Sequence, residues 1–143
     1  MVGILEKKPN KPSVDRWLKE AKEDPSAAEC GMYLVHNGTV RQTARARVRQ
    51  GAENSESVTG MVFRYDAEKV EQAILKTKEM PGIFYIRVWL NDGHLTLGDD
   101  IMLVLVGGDI RPHVIDALQA LVGTIKNDCV VEEELFDIAS AVH

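Results

Sequence analysis

Three cationic residues of this 143-residue chain occupy positions that suit the binding of an anion. Arg41 comes shortly after Asn37-Gly38, and its planar guanidinium can hold a phosphate or carboxylate through two parallel hydrogen bonds. Arg111 follows Gly107-Gly108, whose backbone amides can face an anion at the start of a helix. Lys126 lies near the end of that predicted helix. Together they indicate a site that holds negatively charged groups.

Each of these residues also has a purely structural explanation. Arg41 can be a solvated loop arginine. Ahead of Arg111, Asp109 can serve as a plain helix N-cap. Lys126 can simply complement the negative end of the helix dipole. The local sequence leaves both interpretations open for all three residues.

Composition argues against several classes of function. A net charge of −5 and a pI near 5.4 are unlike a protein that binds nucleic acid, which usually carries a strongly basic surface. Cys30 and Cys129 are far apart, and the histidines show no ligand spacing, so we expect neither a metal nor a cofactor. No apolar run approaches the ~20 residues of a membrane span, and we expect a cytoplasmic protein. The four histidines are His36, His94, His113 and His143.

The elements that must position the three cations follow from hydrophobic spacing and turn residues. We expect one domain over residues 1–143, with an irregular segment at 1–12 and a mobile loop at 39–57 that carries three alternating arginines. Those arginines are Arg45, Arg47 and Arg49. The predicted order is a helix after Ser13, strand 30–36, a turn or close backbone approach at Asn37-Gly38, strand 58–64, helix 66–78, strand 83–90, short strand 95–97, strand 101–106, helix 111–126, edge strand 129–136 and a short final helix.

Two of these elements define the fold class. The strand at 101–106 has no polar alternation, which is typical of a central strand covered on both faces. The helix at 111–126 shows the clearest apolar spacing. Antiparallel hairpin signals beside crossover helices predict an α+β fold, with a mixed, largely antiparallel sheet and packed helices. The apolar face predicted for the last helix comprises Ile115, Leu118, Leu121, Val122 and Ile125.

Between residues 30 and 134 the chain resembles the large, catalytic subunit of molybdopterin synthase, the MoaE family. Three segments carry the resemblance. They are the opening strand with Gly38-Thr-Val-Arg41, the segment Leu97-Gly-Asp-Asp-Ile101 ahead of a buried strand, and Arg111 followed by a helix ending at Lys126. The number of residues between Ile101 and Lys126 matches the family pattern without an insertion or a deletion.

The resemblance implies an α/β hammerhead fold and a sulfurtransferase role in molybdenum cofactor biosynthesis. In that family a central homodimer of large subunits receives the Gly-Gly tails of two ubiquitin-like small subunits, MoaD, in a heterotetramer. The thiocarboxylate of each tail supplies sulfur to cyclic pyranopterin monophosphate, precursor Z. By this resemblance Lys126 is the catalytic residue, while Arg41, Arg111 and Gly38 bind the pterin phosphate.

The chain departs from the family at several basic positions. Leu90-Asn91 stands in place of a His-Arg pair, and Ile110 in place of the His before the helix-start arginine. Glu133 stands where the family has a second lysine. These departures favour an alternative function, a catalytically impaired dimeric binding protein that recognises a Gly-Gly tail or another anion.

The spacing of two candidate residues adds a geometric expectation. At ~1.5 Å per residue, the predicted helix separates Arg111 from Lys126 by roughly 22 Å, too far for one small-molecule site within a single chain. We therefore expect that, if both residues serve one site, this site lies across the interface of a homodimer.

Overall fold

The computed structural model describes residues 2–42 and 58–136. The arginines Arg45, Arg47 and Arg49 and the short helix predicted for the last seven residues lie outside the described residues. Within those ranges the strands are β1 (Val2–Glu6), β2 (Met32–Thr39), β3 (Val58–Tyr65), β4 (Ile83–Leu90), β5 (Gly93–Thr96), β6 (Asp100–Gly108) and β7 (Val130–Phe136). The α-helices are α1 (Val14–Glu23), α2 (Ala67–Lys78) and α3 (Arg111–Thr124), with a 3₁₀-helix at Pro25–Glu29 and a π-helix at Ile125–Cys129.

The strands form two sheets. The larger has the order β1-β4-β6-β2, in which β1 and β4 are parallel and the other pairs antiparallel. The smaller has the order β5-β3-β7 and is antiparallel throughout. The predicted α+β class with a mixed, largely antiparallel sheet is confirmed.

Strand β6 is the centre of the larger sheet, as its unbroken apolar run predicts. Met102, Val104 and Val106 are fully buried on the face that packs against α2 and α3. On the other face, Leu103 and Leu105 pack with α1. Because β6 is covered on both sides, the strands beside it are held at fixed positions on which a site can be built.

Side chains cap the starts of α1 and α2. The hydroxyl of Ser13 accepts a hydrogen bond from the backbone N–H of Arg16 at the start of α1. The carboxylate of Asp66 accepts one from the backbone N–H of Lys69 at the start of α2. Such caps satisfy amides that the helix leaves unpaired, and the local sequence is enough to predict them. No helix in the described part of the chain is long and apolar enough to cross a membrane.

The N-terminal segment differs from the prediction, because Val2–Glu6 is a strand rather than irregular chain. It pairs in parallel with β4, about eighty residues away in sequence, and the Glu6 carboxylate accepts a hydrogen bond from Arg87 Nε at 3.2 Å. Arg87 also forms an ion pair with Glu20 of α1. The strand pairs with a partner that is distant in sequence, so its five residues gave no local signal of the pairing.

The segment at Asn37-Gly38 is a second difference, because β2 runs through it to Thr39 instead of turning. The register against β6 shifts between Gly38 and Thr39. A local irregularity of this kind bends a strand and re-aims the residues that follow it. Of the two alternatives predicted here, the turn is therefore wrong, and Gly38 is a strand residue beside the register shift.

The start and face of α3 also differ from the prediction. Gly107 and Gly108 belong to β6 and pair with both neighbouring strands, so they do not form an anion-binding loop. Ile110, without a side-chain cap, is the N-cap in place of Asp109. The buried stripe of the helix keeps Leu121 and Ile125 of the predicted face but has Val114 and Ala117 as its other fully buried members. That stripe is Val114, Ala117, Leu121 and, in the π-helix, Ile125, with Leu118 and Val122 partly buried beside it.

Candidate functional site

A cavity of about 310 Å³ is lined by residues of both sheets and of the π-helix. It brings together Gly38, Arg41 and Lys126, three of the four residues singled out from the sequence. The remaining lining residues are His36, Thr39, Met61, Ile101, Met102, Glu132 and Glu134. The cavity thus combines cationic, anionic and apolar walls in one concave surface.

Strand β2 supplies one wall. His36 and Gly38 are two residues apart in β2 and therefore lie on the same face of the strand. Gly38 pairs with Met102 of β6. After the irregularity at Gly38 the chain turns toward Arg41, which lines the cavity from beyond the end of the strand. Arg41 therefore lines the same cavity as His36 and Gly38 of the strand that precedes it.

Lys126 reaches the cavity from the π-helix that continues α3. A π-helical turn is wider than an α-helical one, and such turns are often found at functional sites. Here the turn carries Lys126 close enough for its charge to act on His36 across the cavity. A helix C-terminus by itself favours a lysine, but Lys126 also lines the cavity.

Arg111 does not line this cavity. It is exposed at the first turn of α3, whereas Lys126 follows the last turn of the same helix. Near Arg111, Asp109 accepts hydrogen bonds from the backbone N–H of Ile110 at 2.6 Å and from His113 Nδ1 at 2.7 Å. The bond with His113 and that with Ile110 lower the pKa of Asp109. Within one chain the structure therefore separates Arg111 from Arg41 and Lys126.

Strand β7 adds an acidic wall that sequence reasoning missed. Glu132 and Glu134 line the cavity, whereas Glu133 between them is exposed and lies on the opposite face of the strand. Glu133, which stands where the family has a second lysine, therefore does not line this cavity. Strand alternation would have separated Glu133 from its neighbours, but only the packing of β7 on β3 shows which face is turned inward.

Neutralising the acidic wall is expected to strengthen anion binding. Glu132→Gln and Glu134→Gln should each tighten the binding of a peptide ending in a Gly-Gly carboxylate by about threefold to tenfold, since each removes one negative charge from a partly buried site. The matched control is Glu133→Gln, which changes net charge equally from the outer face. Isothermal titration calorimetry at low ionic strength measures the effect. Equal responses from all three variants would contradict the assignment of the inner face.

His36 is the second cavity residue that the sequence interpretation passed over. Its ring is partly buried, and Nε2 is shielded from solvent with no hydrogen-bond partner among the described residues. Burial lowers the pKa of the His36 imidazole, and the charge of Lys126 lowers it further. The ring is therefore neutral at physiological pH. The spacing of two between His36 and Gly38 was a usable signal, because any role for Gly38 in a site turns His36 toward the same site.

These residues define what the cavity can do chemically. Arg41 and Lys126 can hold or polarise a negatively charged group, and a neutral imidazole can donate or accept a hydrogen bond without adding charge. The described part of the chain contains no group of three or more His, Cys, Asp or Glu that could hold a metal ion. The arrangement suits the binding of an anionic or acyl group.

Solved structures from several bacteria share this fold, among them the following three. The molybdopterin synthase of Staphylococcus aureus superposes with a TM-score of 0.68 at 16% identity, covering 93% of this chain and 90% of that one. Molybdopterin cofactor biosynthesis protein E of Burkholderia multivorans gives a TM-score of 0.70 at 13% identity, covering 99% and 96%. A complex of subunits 1 and 2 of the molybdopterin-converting factor of Helicobacter pylori gives 0.60 at 18% identity, covering 87% and 80%.

Sequence comparison supplies the family. No curated protein matches the chain. The family model described as MoaE protein, however, matches residues 8–128, which include β2, the central strand β6, all three α-helices and nearly all of the π-helix that carries Lys126. The match thus spans well over half of the chain and most of the elements that build the cavity. This chain is a member of the MoaE family.

Proposed function

We propose that this protein is the large subunit of a molybdopterin synthase. In this role it transfers sulfur from the thiocarboxylated Gly-Gly tail of a ubiquitin-like, MoaD-like small subunit to cyclic pyranopterin monophosphate. The observation that carries the proposal is the convergence of Gly38, Arg41 and Lys126 on one cavity within a MoaE-family chain. The small-subunit partner is also supported by the Helicobacter pylori complex, whose two subunits belong to a molybdopterin-converting factor.

The chemistry of this reaction fits the charges on the cavity wall. The pterin carries a phosphate and the sulfur donor is a thiocarboxylate, so two anions must be held close together in one site. Arg41 can bind phosphate or pterin oxygens through its guanidinium. Lys126 can polarise the acyl group of the tail. The catalytic assignment is therefore Lys126, with Arg41 and Gly38 in substrate binding.

Arg111 enters this function through a second copy of the chain. Since it lies at the far end of α3 from Lys126, it can serve the same site only from the partner subunit of a homodimer. The proposal therefore includes a central homodimer within a heterotetramer. Both cysteines are unpaired, which supports a reducing, cytoplasmic location.

A second candidate function is a MoaE-like binding protein with impaired catalysis. Two carboxylates, Glu132 and Glu134, face the cavity that must hold the anionic substrates. At the start of α3 the N-cap is Ile110, which is 52% exposed and has no proton to exchange. Such a protein would still dimerise and bind a Gly-Gly tail, but it would release no dithiolene product.

One reconstitution separates the two functions. The protein is mixed with thiocarboxylated small subunit and precursor Z, and the product is oxidised to its fluorescent pterin and quantified. We expect product in amounts that scale with the thiocarboxylate supplied, two sulfurs for each pterin. If tail binding by calorimetry is retained but no product forms while a known molybdopterin synthase works in parallel, the binding-protein function holds instead.

A further inference from the structure

His36 is the residue of the cavity to which the proposed function gives no role. It lies on the wall shared with Gly38, and a Cβ atom at Gly38 would sit only 3.7 Å from His36 Nε2. This is an ordinary van der Waals distance, so Gly38 and the imidazole are neighbours on one wall. The cavity that His36 lines also holds four charged side chains, which are Arg41, Lys126, Glu132 and Glu134.

One ring nitrogen of His36 is buried. Nε2 is shielded from solvent and lacks a hydrogen-bond partner among the described residues, although His36 as a whole is only partly buried. A buried N–H without an acceptor is rarer in proteins than a buried acceptor without a donor. The neutral ring therefore keeps its lone pair on Nε2 and its proton on Nδ1, which makes Nδ1 the hydrogen-bond donor of the ring.

The proposed reaction needs such a donor at one step. Once the tail sulfur has bonded to the pterin, the tail carbonyl carbon and the pterin share a thioester. Water then adds to that carbon, forming a carbon–oxygen bond and placing negative charge on the carbonyl oxygen. The carbon–sulfur bond breaks, the sulfur stays on the pterin as a thiolate with the bonding pair, the tail leaves as a carboxylate, and both water protons pass to solvent.

We infer that His36 is a further catalytic residue of this cavity, which as a neutral imidazole donates a hydrogen bond from Nδ1 to the carbonyl oxygen of the tail while negative charge develops there. This inference rests on the proposed function. A neutral donor stabilises the oxyanion and does not repel the cation Lys126. A protonated histidine would repel it. Lowering of the His36 pKa by burial and by Lys126 keeps the ring in this neutral form.

Three substitutions at position 36 test the inference, because amide side chains imitate one ring nitrogen each. His36→Phe keeps a planar ring but removes both nitrogens. His36→Asn places an N–H near the position of Nδ1, whereas His36→Gln places it near Nε2. Single-turnover product formation is measured with thiocarboxylated small subunit and precursor Z. Thermal unfolding and calorimetric affinity for the small subunit are measured on each variant, and the Gln variant replaces the Phe variant if the latter does not fold.

We expect His36→Phe and His36→Gln to slow the single-turnover rate by about 100-fold, the usual effect of losing one oxyanion donor, with little change in tail affinity. His36→Asn should stay within about tenfold of the wild type. If His36→Phe reacts within about threefold of the wild type, or if a folded Asn variant is as slow as the Phe variant, the inference fails while the proposed function stands. An inactive wild type beside a working control would overturn the proposed function and the inference together.

Discussion

Replacing Lys126 with alanine is expected to lower the rate of sulfur transfer by about 100-fold to 1000-fold, because in the proposed function this residue is the cation that polarises the acyl group. Lys126 lines the cavity from the π-helix, and its charge already acts on His36 there. Tail affinity should fall much less than the rate. Single-turnover formation of the fluorescent pterin and calorimetric binding of the small subunit measure the two quantities separately.

Two further variants make the Lys126 result specific. Lys126→Arg keeps the charge but not the compact ammonium group, and we expect it to retain binding and lose most of the rate. Lys76→Ala removes an exposed lysine of α2 that does not line this cavity, and it should leave both quantities unchanged. A Lys126→Ala protein as fast as the Lys76→Ala protein would show that Lys126 only complements the helix dipole.

Mixing two inactive variants is expected to restore activity if Arg111 serves the site of its partner subunit. When each variant is assayed alone, Arg111→Ala and Lys126→Ala should both lose most product formation. After dissociation and random reassembly, half of the dimers are mixed, and each of these has one site with both changes and one with neither. About a quarter of the wild-type sites should therefore return. Product formation is followed as a function of mixing ratio and should peak at equal amounts.

The control for this experiment is a mixture of Lys126→Ala with Lys126→Gln, in which every site lacks the lysine whatever the pairing. It should recover nothing. Failure of the Arg111→Ala and Lys126→Ala mixture to recover activity, with exchange of subunits verified by native mass spectrometry, would place both residues in the site of one chain or remove Arg111 from it. A protein that sediments as a monomer at assay concentration would remove the shared site altogether.

Secondary structure could be predicted from local sequence wherever a short-range rule sets it. Ser13 and Asp66 act as caps because their side chains satisfy backbone amides three residues ahead. The strand after Asp100 is apolar throughout because both of its faces are covered. The π-helix, by contrast, carries no comparable local signal, and the sequence suggested that α3 would simply continue to Lys126.

The tertiary structure was needed to show that Glu132, Glu134 and His36 line the cavity. Alternation along β7 divides its glutamates into two sets, but only the pairing of β7 with β3 turns Glu132 and Glu134 inward and Glu133 outward. The same holds for β1, whose partner strand is distant in sequence. Periodicity can assign residues to a common face, but which face is buried depends on the packing of sheets and helices.

Family membership and the cationic candidates were thus available from the sequence alone, because motif residues keep their order and spacing along the chain. Gly38, Arg41, Arg111 and Lys126 could all be named in this way. The tertiary structure decided how they are grouped, since strand register and helix length brought three of them to one cavity and left Arg111 at the other end of α3. Distances between residues depend on how strands and helices pack, and motif spacing along the sequence does not predict that packing.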